Sequence, residues 1–272
     1  MDKQNLEITL LLEAILILSG FDFRRYNRNS IKRRIEHRVK LDKLESISRL
    51  TESIIYDEKL LNQVLADFSI NVTEMFRDPK FFRIFLEEVL PTLYKREKIR
   101  IWHAGCSTGE EPYSMAILLD ELGLLDRTLI FATDMNEAVL DRAKEGRLPI
   151  NKIDKYSNNY LHAGGKYDLS KYYTIDDNTA ILHPYLRNSI VFAQHNLVTD
   201  SSFQEFDIII CRNVLIYFNF DLQEEIHQLF YESLRVGGFL GLGNKETIQF
   251  TSFEEKYEVI NRYEHIYKKV KK

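Results

Sequence analysis

A loop with two glycines, followed by two carboxylates, is the segment of the sequence best suited to chemistry. It lies in IWHAGCSTGEEPYS, residues 101–114, which runs from an apolar stretch through small residues into a predicted helix. Gly105 allows a sharp backbone turn, and Gly109 allows a ligand to approach closely, because neither carries a side chain. Open α/β sheets bind ligands at the carboxyl ends of their strands, where this loop would lie. The loop therefore predicts a site for a nucleotide-like ligand.

The charges beside the loop indicate which ligand class fits. A phosphate-binding Walker loop carries a lysine after its last glycine, but here Glu110 and Glu111 follow Gly109. Two carboxylates would repel a pyrophosphate and suit a cationic ligand such as S-adenosylmethionine, which has an ammonium and a sulfonium. Asp134 ends the next apolar run and is placed to accept hydrogen bonds from two ribose hydroxyls. The alternative is purely structural, with a plain strand-to-helix turn and Asp134 as a helix cap.

The elements that would position these residues form an α/β pattern from residue 99 onward. Apolar runs with few polar alternations predict strands that are buried on both faces of a parallel sheet. The predicted strands are 99–104, 128–134, 189–197, 206–214 and 237–243, and the helices between them are 110–122, 137–145 and 222–234. The C-terminal segment 251–270 predicts two short antiparallel strands at the edge of this sheet. The pattern is typical of a doubly wound α/β domain.

Two other regions differ from this pattern. Residues 1–75 predict an all-helical N-terminal domain, and 76–272 would form the α/β domain. The apolar stretch 8–19 is too short for a membrane span and contains Glu13, so it predicts a buried helix that ends at Gly20. Residues 151–188 are rich in Tyr, Asn, Asp and Lys and predict a small inserted antiparallel β-subdomain.

The overall composition argues against several classes of protein. The formal net charge of −4 argues against a general nucleic-acid binder, and two cysteines are too few for a disulfide framework. A cytoplasmic location is therefore expected. Cys211 lies in an apolar run and is expected to be a buried, inert thiol. The seven histidines and two cysteines lack metal-ligand spacing, so no metal site is predicted.

The chain resembles the chemotaxis receptor glutamate methyltransferase family, CheR. The stretches that carry the resemblance are NVTEMFRDPKFF (71–82), GCSTGEEPYS (105–114), ATDMNEAVLDRAKEGRL (132–148), CRNVLIYFN (211–219) and GGFLGLGNKE (237–246). They occur in the order of the family and cover most of the chain. The resemblance implies an N-terminal helical domain and a Rossmann-like class I methyltransferase domain with an inserted antiparallel β-subdomain.

The resemblance also implies a reaction and a set of site residues. The reaction is methyl transfer from S-adenosylmethionine to glutamates on the cytoplasmic helices of chemoreceptors, with S-adenosylhomocysteine as product. Arg77 and Tyr217 match the positions beside the reacting methyl group. The implied cofactor contacts, together with the loop glycine, are Asn71, Thr73, Arg77, Gly105, Glu111, Asp134, Asn196, Leu197, Arg212 and Asn213. His103 has no evident place in the family pattern, and its role stays open.

The chemistry of a glutamate acceptor is consistent with this residue set. A carboxylate with a pKa near ~4.3 is already ionised at neutral pH and needs no general base. Arg77 would steer that carboxylate or stabilise the cofactor, and Tyr217 would contribute a hydroxyl. The structural alternatives are a surface ion pair for Arg77 and a core aromatic for Tyr217. Asn196 would face the adenine edge and Asn213 the cofactor or substrate, although either amide could simply cap a turn.

A basic stretch at residues 24–40 is the candidate partner surface. Its cationic residues are Arg24, Arg25, Arg28, Lys32, Arg33, Arg34, Arg38 and Lys40. It would dock an acidic receptor helix, in line with the use that the family makes of its N-terminal domain, and salt would weaken such docking. The alternatives are a solvated helix face and nucleic acid. The 151–188 insertion is a second candidate surface, where a receptor tethering peptide could add a strand.

Two rival functions stay open at the level of sequence. The first is a catalytically idle relative that binds S-adenosylmethionine and acts as a signalling module. The second is a methyltransferase of the same fold with another acceptor, such as a small carboxylate or RNA. The intact Arg77, Asp134 and Tyr217 disfavour the first, and the basic stretch and family motifs disfavour the second.

Overall fold

The computed structural model of the protein describes residues 2–68 and 73–271. Internal contacts divide the chain into two units. One unit comprises Met1–Ile70 and Leu215–Glu225, and the other comprises Asn71–Val214 and Ile226–Lys272.

The first unit is built from helices, as its apolar periodicity predicts. Its helices are α1 (Lys3–Ser19), α2 (Arg28–Leu41), α3 (Ile47–Tyr56) and α4 (Glu58–Phe68). Helix α1 ends as predicted, because Gly20 adopts φ +77° and its N–H bonds to the carbonyl of Leu16. The core residues of this unit include Ile8, Leu11, Ile15, Ile35, Leu50 and Val64.

The second unit contains a seven-stranded sheet with helices between its strands. Its helices are α5 (Pro79–Ile84), α6 (Glu110–Glu121), α7 (Glu137–Glu145), α8 (Ile153–His162) and α9 (Pro184–Asn188). Helix α10 (Phe220–Ser233) is assigned to the first unit up to Glu225 and to the second unit from Ile226. The strands are β1 (Ile99–Ala104), β2 (Thr128–Asp134), β3 (Arg147–Pro149), β4 (Tyr173–Asp176), β5 (Thr179–Leu182), β6 (Ile190–Gln194), β7 (Phe206–Cys211), β8 (Leu234–Leu242), β9 (Tyr257–Asn261) and β10 (Ile266–Lys269).

The strand order explains where a ligand site can form. In the described part of the chain the large sheet runs β6-β2-β1-β7-β8-β10-β9, parallel from β6 to β8 and antiparallel at β10 and β9. The carboxyl ends of β1, β2, β7 and β8 therefore meet at one edge, which is the binding edge of such folds. Every residue of β7 is buried, as expected for a strand covered on both faces.

The inserted region is a small antiparallel sheet, with one departure from the prediction. Strands β3, β5 and β4 pair antiparallel in that order. Residues 153–162, however, form helix α8, which the polar composition of the segment did not suggest. Ile153, Tyr156 and Tyr160 lie on one helical face and are buried, so tertiary packing selects the helix.

The predicted architecture is confirmed: a helical N-terminal part, a Rossmann-like, mostly parallel sheet and a small inserted β-subdomain. Among the described residues, no helix is both long and apolar enough to span a membrane.

Candidate active site

The loop after β1 is attached to the end of β2 by its backbone. The N–H groups of Gly105 and Cys106 both donate to the carbonyl oxygen of Thr133, at 2.8 and 2.9 Å. Gly105 has φ +78°, and a Cβ built there would lie 2.5 Å from Cγ2 of Val214. Gly109 has φ +92° and precedes helix α6. The two glycines are therefore required by backbone conformation and, at Gly105, by the close approach of Val214.

Asp134 lies at the carboxyl end of β2, beside this loop. Its Oδ2 accepts a hydrogen bond from the N–H of Ser107 at 2.9 Å, and its Oδ1 accepts one from the N–H of Asn136 at 3.0 Å. Burial raises the pKa of Asp134, and these backbone donors oppose that rise. The residue that caps helix α7 is Asn136, whose side chain accepts from the N–H of Ala138. The alternative in which Asp134 is the helix cap is therefore wrong.

A chain of charged and polar side chains, buried at His103 and Arg212 and half-buried at Glu111 and Asp78, lies next to the loop. Nδ1 of His103 is 2.9 Å from Oε1 of Glu111, and Oε2 of Glu111 accepts from Nη1 of Arg212 at 3.1 Å. Nη2 of Arg212 donates to Oδ2 of Asp78 at 2.6 Å and to the carbonyl of Arg77 at 3.1 Å. The chain thus links β1, α6, the segment after β7 and the segment before α5.

Arg212 is the centre of this chain. It is 6% exposed, and its guanidinium carbon lies 4.1 Å from the centre of the Phe81 ring, at cation–π distance. Two carboxylates and one aromatic face surround the guanidinium, which compensates for its burial. Its Nε has no hydrogen-bond partner among the described residues.

The two glutamates after Gly109 have different environments. Burial raises the pKa of Glu111, but the hydrogen bond from His103 and the charge of Arg212 outweigh it, so the pKa lies below its ordinary value. Glu110 is buried, and its Oε2 accepts from the hydroxyl of Thr108 at 2.7 Å. Burial raises the pKa of Glu110. The negative charge beside the loop is therefore partly neutralised by Arg212, which the sequence did not indicate.

The other predicted cofactor residues occupy several positions in the second unit. Asn213 follows Arg212 with φ +62°, and the side chain of Arg77 is half-buried. Oδ1 of Asn196 accepts from the N–H of Val198 at 3.0 Å, so this amide oxygen caps a turn, as the structural alternative allowed. Thr73 and Leu197 are half-buried, and Asn71 lies outside the described residues.

The predicted docking residues and Tyr217 belong to the first unit. The guanidinium of Arg34 lies 5.6 Å from the centre of the Tyr217 ring. Most of the basic stretch also has partners inside this unit: Arg24 with Asp22 and Glu13, Arg25 with Glu225, Arg28 with Asn5 and Thr9, Lys32 with Glu36, Arg34 with Asp67, and Arg38 with Asp67 and Asp42. Arg33 is exposed and has no ion-pair partner among the described residues.

Two residues beside the candidate site have no role predicted from the sequence. His103 is fully buried, and its contact with Glu111 supplies the role that stayed open. The carboxylate of Glu246 accepts a hydrogen bond from the backbone N–H of Asn213, at 2.8 Å. Glu246 lies in a motif stretch but gave no local signal, because two of its three backbone donors, Asn213 and Val214, follow β7 and are far away in the sequence.

These residues fit S-adenosylmethionine, the cofactor implied by the loop. The buried carboxylate of Asp134 at the end of β2 is an acceptor suited to ribose hydroxyls. The glycine loop turns at the same end of the sheet, and the ionised Glu111 is an anionic group beside it.

Comparison with known proteins agrees with this fit. Residues 6–69 match the all-alpha domain of CheR methyltransferases, and residues 71–265 match the SAM binding domain of CheR methyltransferases. A Pseudomonas putida protein described as a methyltransferase, Cher3, is 46% identical over 265 residues, which cover 97% of each chain. The chemotaxis protein methyltransferase of Listeria monocytogenes is 33% identical over 250 residues, which cover 91% of each chain.

A solved structure of the glycopeptide N-methyltransferase MtfA with sinefungin has a TM-score of 0.39 and 9% identity, covering 63% of this chain and 50% of that one. This likeness is too low to bear on function. The two domain matches together span most of the chain, in the family's order. The chain therefore belongs to the CheR methyltransferase family and carries its S-adenosylmethionine-binding domain.

Proposed function

We propose that this protein is a protein-glutamate O-methyltransferase that acts on the cytoplasmic helices of chemoreceptors during chemotactic adaptation. The observation that carries the proposal is the match of both CheR domains, together with relatives that are named chemotaxis protein methyltransferases. The products are a γ-glutamyl methyl ester and S-adenosylhomocysteine. The protein acts in the cytoplasm, where those receptor helices lie.

The cofactor supplies an electrophilic methyl group on a sulfonium. Asp134 would hold the ribose from the end of β2, and Arg212 and Asn213 would hold the cofactor from the segment that follows β7, on the other side of β1. Glu111 places a negative charge beside the loop, and Arg77 orients the substrate carboxylate. A glutamate carboxylate is ionised at neutral pH, so the protein moves no proton and instead aligns one oxygen with the methyl carbon.

The substrate docks on the exposed face of α2. Arg33, His37 and Lys40 recur at helical spacing and are all exposed, whereas Ile31, Ile35 and Arg38 are buried on the other side. The two cations of this stripe, Arg33 and Lys40, would attract a glutamate-rich helix. The ion pairs of Arg24, Arg25 and Arg38 inside the unit leave Arg33 and Lys40 as the principal docking cations of the stretch.

The test has two stages. Titration with S-adenosylhomocysteine by calorimetry should give micromolar binding. Labelled S-adenosylmethionine should then transfer its methyl group to a receptor cytoplasmic fragment, and base should release the label, as it does from esters. A fragment with glutamine at the acceptor glutamates is the control. Cofactor binding without receptor methylation would favour an idle signalling relative, and base-stable label on RNA would favour another acceptor.

A further inference from the structure

Glu246 has an unusual set of hydrogen bonds for a side chain near the candidate site. Its Oε2 accepts from the backbone N–H groups of Asn213 at 2.8 Å and Gly243 at 2.7 Å, and its Oε1 accepts from that of Val214 at 2.7 Å. The residue is 4% exposed. One buried carboxylate thus satisfies three backbone donors, each of which would be costly to leave unpaired.

The three donors come from two neighbouring strand ends. Asn213 and Val214 follow β7, whereas Gly243 follows β8, and these strands are parallel neighbours in the sheet. Ladder bonds end at these positions, so the carboxylate continues the connection beyond the last strand residues. Its effect is to set the position of the turn after β7 relative to the turn after β8.

The turn after β7 carries the residues proposed to hold the cofactor. Asn213 adopts φ +62°, a left-handed conformation that costs energy for a residue other than glycine and persists only where neighbours hold it. Arg212, the preceding residue, must place its guanidinium between Asp78 and Glu111. Both requirements depend on the path of the backbone that Glu246 binds.

We propose that Glu246 is a positioning residue, which fixes the turn after β7 so that Arg212 and Asn213 present their side chains to the cofactor. The proposal rests on the cofactor-binding role proposed above for those two residues. It does not depend on the receptor as methyl acceptor.

Gly243 provides an independent way to disturb the same contact. A Cβ built on Gly243 would lie 2.5 Å from Oε2 of Glu246 and 2.8 Å from the backbone nitrogen of Asn213. Any side chain at this position must therefore displace the carboxylate or the turn. Glu246→Gln disturbs the same contact without a change of shape. It replaces one acceptor oxygen by an amide NH₂, which would then face a backbone N–H group, and two donors cannot form a hydrogen bond.

Asp207 is a matched control at the opposite end of β7. Its carboxylate is also buried, and it accepts from the backbone N–H of Arg100 at 2.9 Å and from the side chain of Arg235. Asp207→Asn therefore removes a buried carboxylate that bridges strands, but it does so at the amino ends of the strands, away from the binding edge.

The experiment measures the affinity for S-adenosylhomocysteine by calorimetry, at a temperature where circular dichroism shows each variant folded. We expect Glu246→Gln and Gly243→Ala each to weaken the binding of S-adenosylhomocysteine at least tenfold. Because both substitutions disturb the same contact, the double variant should bind little more weakly than the single variant with the lower affinity. Asp207→Asn should lower the melting temperature and keep the dissociation constant within twofold of the unsubstituted protein.

Folded variants at both Glu246 and Gly243 that bind as tightly as the unsubstituted protein would overturn the proposal. An equal loss of affinity in Asp207→Asn would overturn it as well, because the effect would then follow general destabilisation. If one of the variants Glu246→Gln and Gly243→Ala does not fold, the affinity of the other variant tests the proposal. Absence of binding by the unsubstituted protein would instead refute the cofactor site itself.

Discussion

His103 on β1 and Glu111 on α6 are joined by a hydrogen bond between Nδ1 and Oε1, 2.9 Å apart, across the loop that separates the two elements. Because an ionised carboxylate only accepts, the imidazole donates from Nδ1. The bond leaves Oε2 of Glu111 directed to Arg212. A fully buried histidine on β1, inside the sheet, thus orients a carboxylate beside the candidate cofactor site.

Two substitutions of His103 should show how much its hydrogen bond to Glu111, and how much its packing, contributes to the free energy of unfolding. His103→Leu removes the donor from a buried carboxylate, which should cost about 1–3 kcal/mol of unfolding free energy. His103→Asn can place an amide N–H near the position of Nδ1 and should recover part of that loss. Urea unfolding checks the stability, and titration with S-adenosylhomocysteine checks the site. Equal stability of the leucine and asparagine variants would show that the hydrogen bond contributes nothing.

Glu111 should make the stability depend on pH on the acid side. Burial raises its pKa, but His103 and Arg212 lower it more, so the net folded pKa lies below the ordinary 4.5. The stabilising contribution is therefore complete above about pH 4.5 and is lost as the pH falls through the folded pKa. Unfolding free energies of the unsubstituted protein and Glu111→Gln should differ most near neutral pH and converge under acid. A difference that stays constant across this range would contradict the pairing.

The pKa of Asp134 is shifted upward, opposite to that of Glu111, and we expect the shift to affect ligand binding. Burial raises its pKa above 3.8, so acid protonates it sooner than an exposed aspartate. Hydrogen bonds to charged groups contribute about 1.5–3 kcal/mol, so Asp134→Asn should weaken S-adenosylhomocysteine binding by about tenfold to a hundredfold. The affinity of the unsubstituted protein should also fall as the pH is lowered toward that pKa. Unchanged affinity in the asparagine variant would refute the ribose assignment.

Charge reversal on the exposed face of α2 should weaken receptor docking alone. Arg33→Glu combined with Lys40→Glu should reduce capture of a receptor cytoplasmic fragment at low salt, and the gap should narrow as salt screens the charges. Binding of S-adenosylhomocysteine should stay unchanged. Arg49→Glu combined with Lys59→Glu, two charge reversals at exposed positions on α3 and α4, is the matched control. Equal weakening by the control would mean that net charge, and not this face, attracts the receptor.

Local pattern was sufficient for much of the framework. The run 128–134 became β2 with those bounds, and the segment 137–145 became α7, because apolar periodicity reports burial along a single element. Helix α8 was missed for the same reason. Its buried face is formed by two tyrosines and one isoleucine within a polar segment. Only the tertiary packing against these side chains identifies them as the buried face of a helix.

The sequence by itself determined most of the elements, the glycine loop and Asp134 at a strand end, since each depends on residues close together in the chain. It also carried the family resemblance, since each motif is a contiguous stretch of residues. The tertiary structure alone decided the partners. Arg212 and Asp78 are 134 positions apart, and Glu246 and Asn213 are 33 apart. No local period connects such residues. Arg212, Asn213 and Glu246 meet because parallel strands bring their carboxyl ends to one end of the sheet, and Asp78, before α5, packs against them there. Burial at this place favours a partner for each charge and backbone donor.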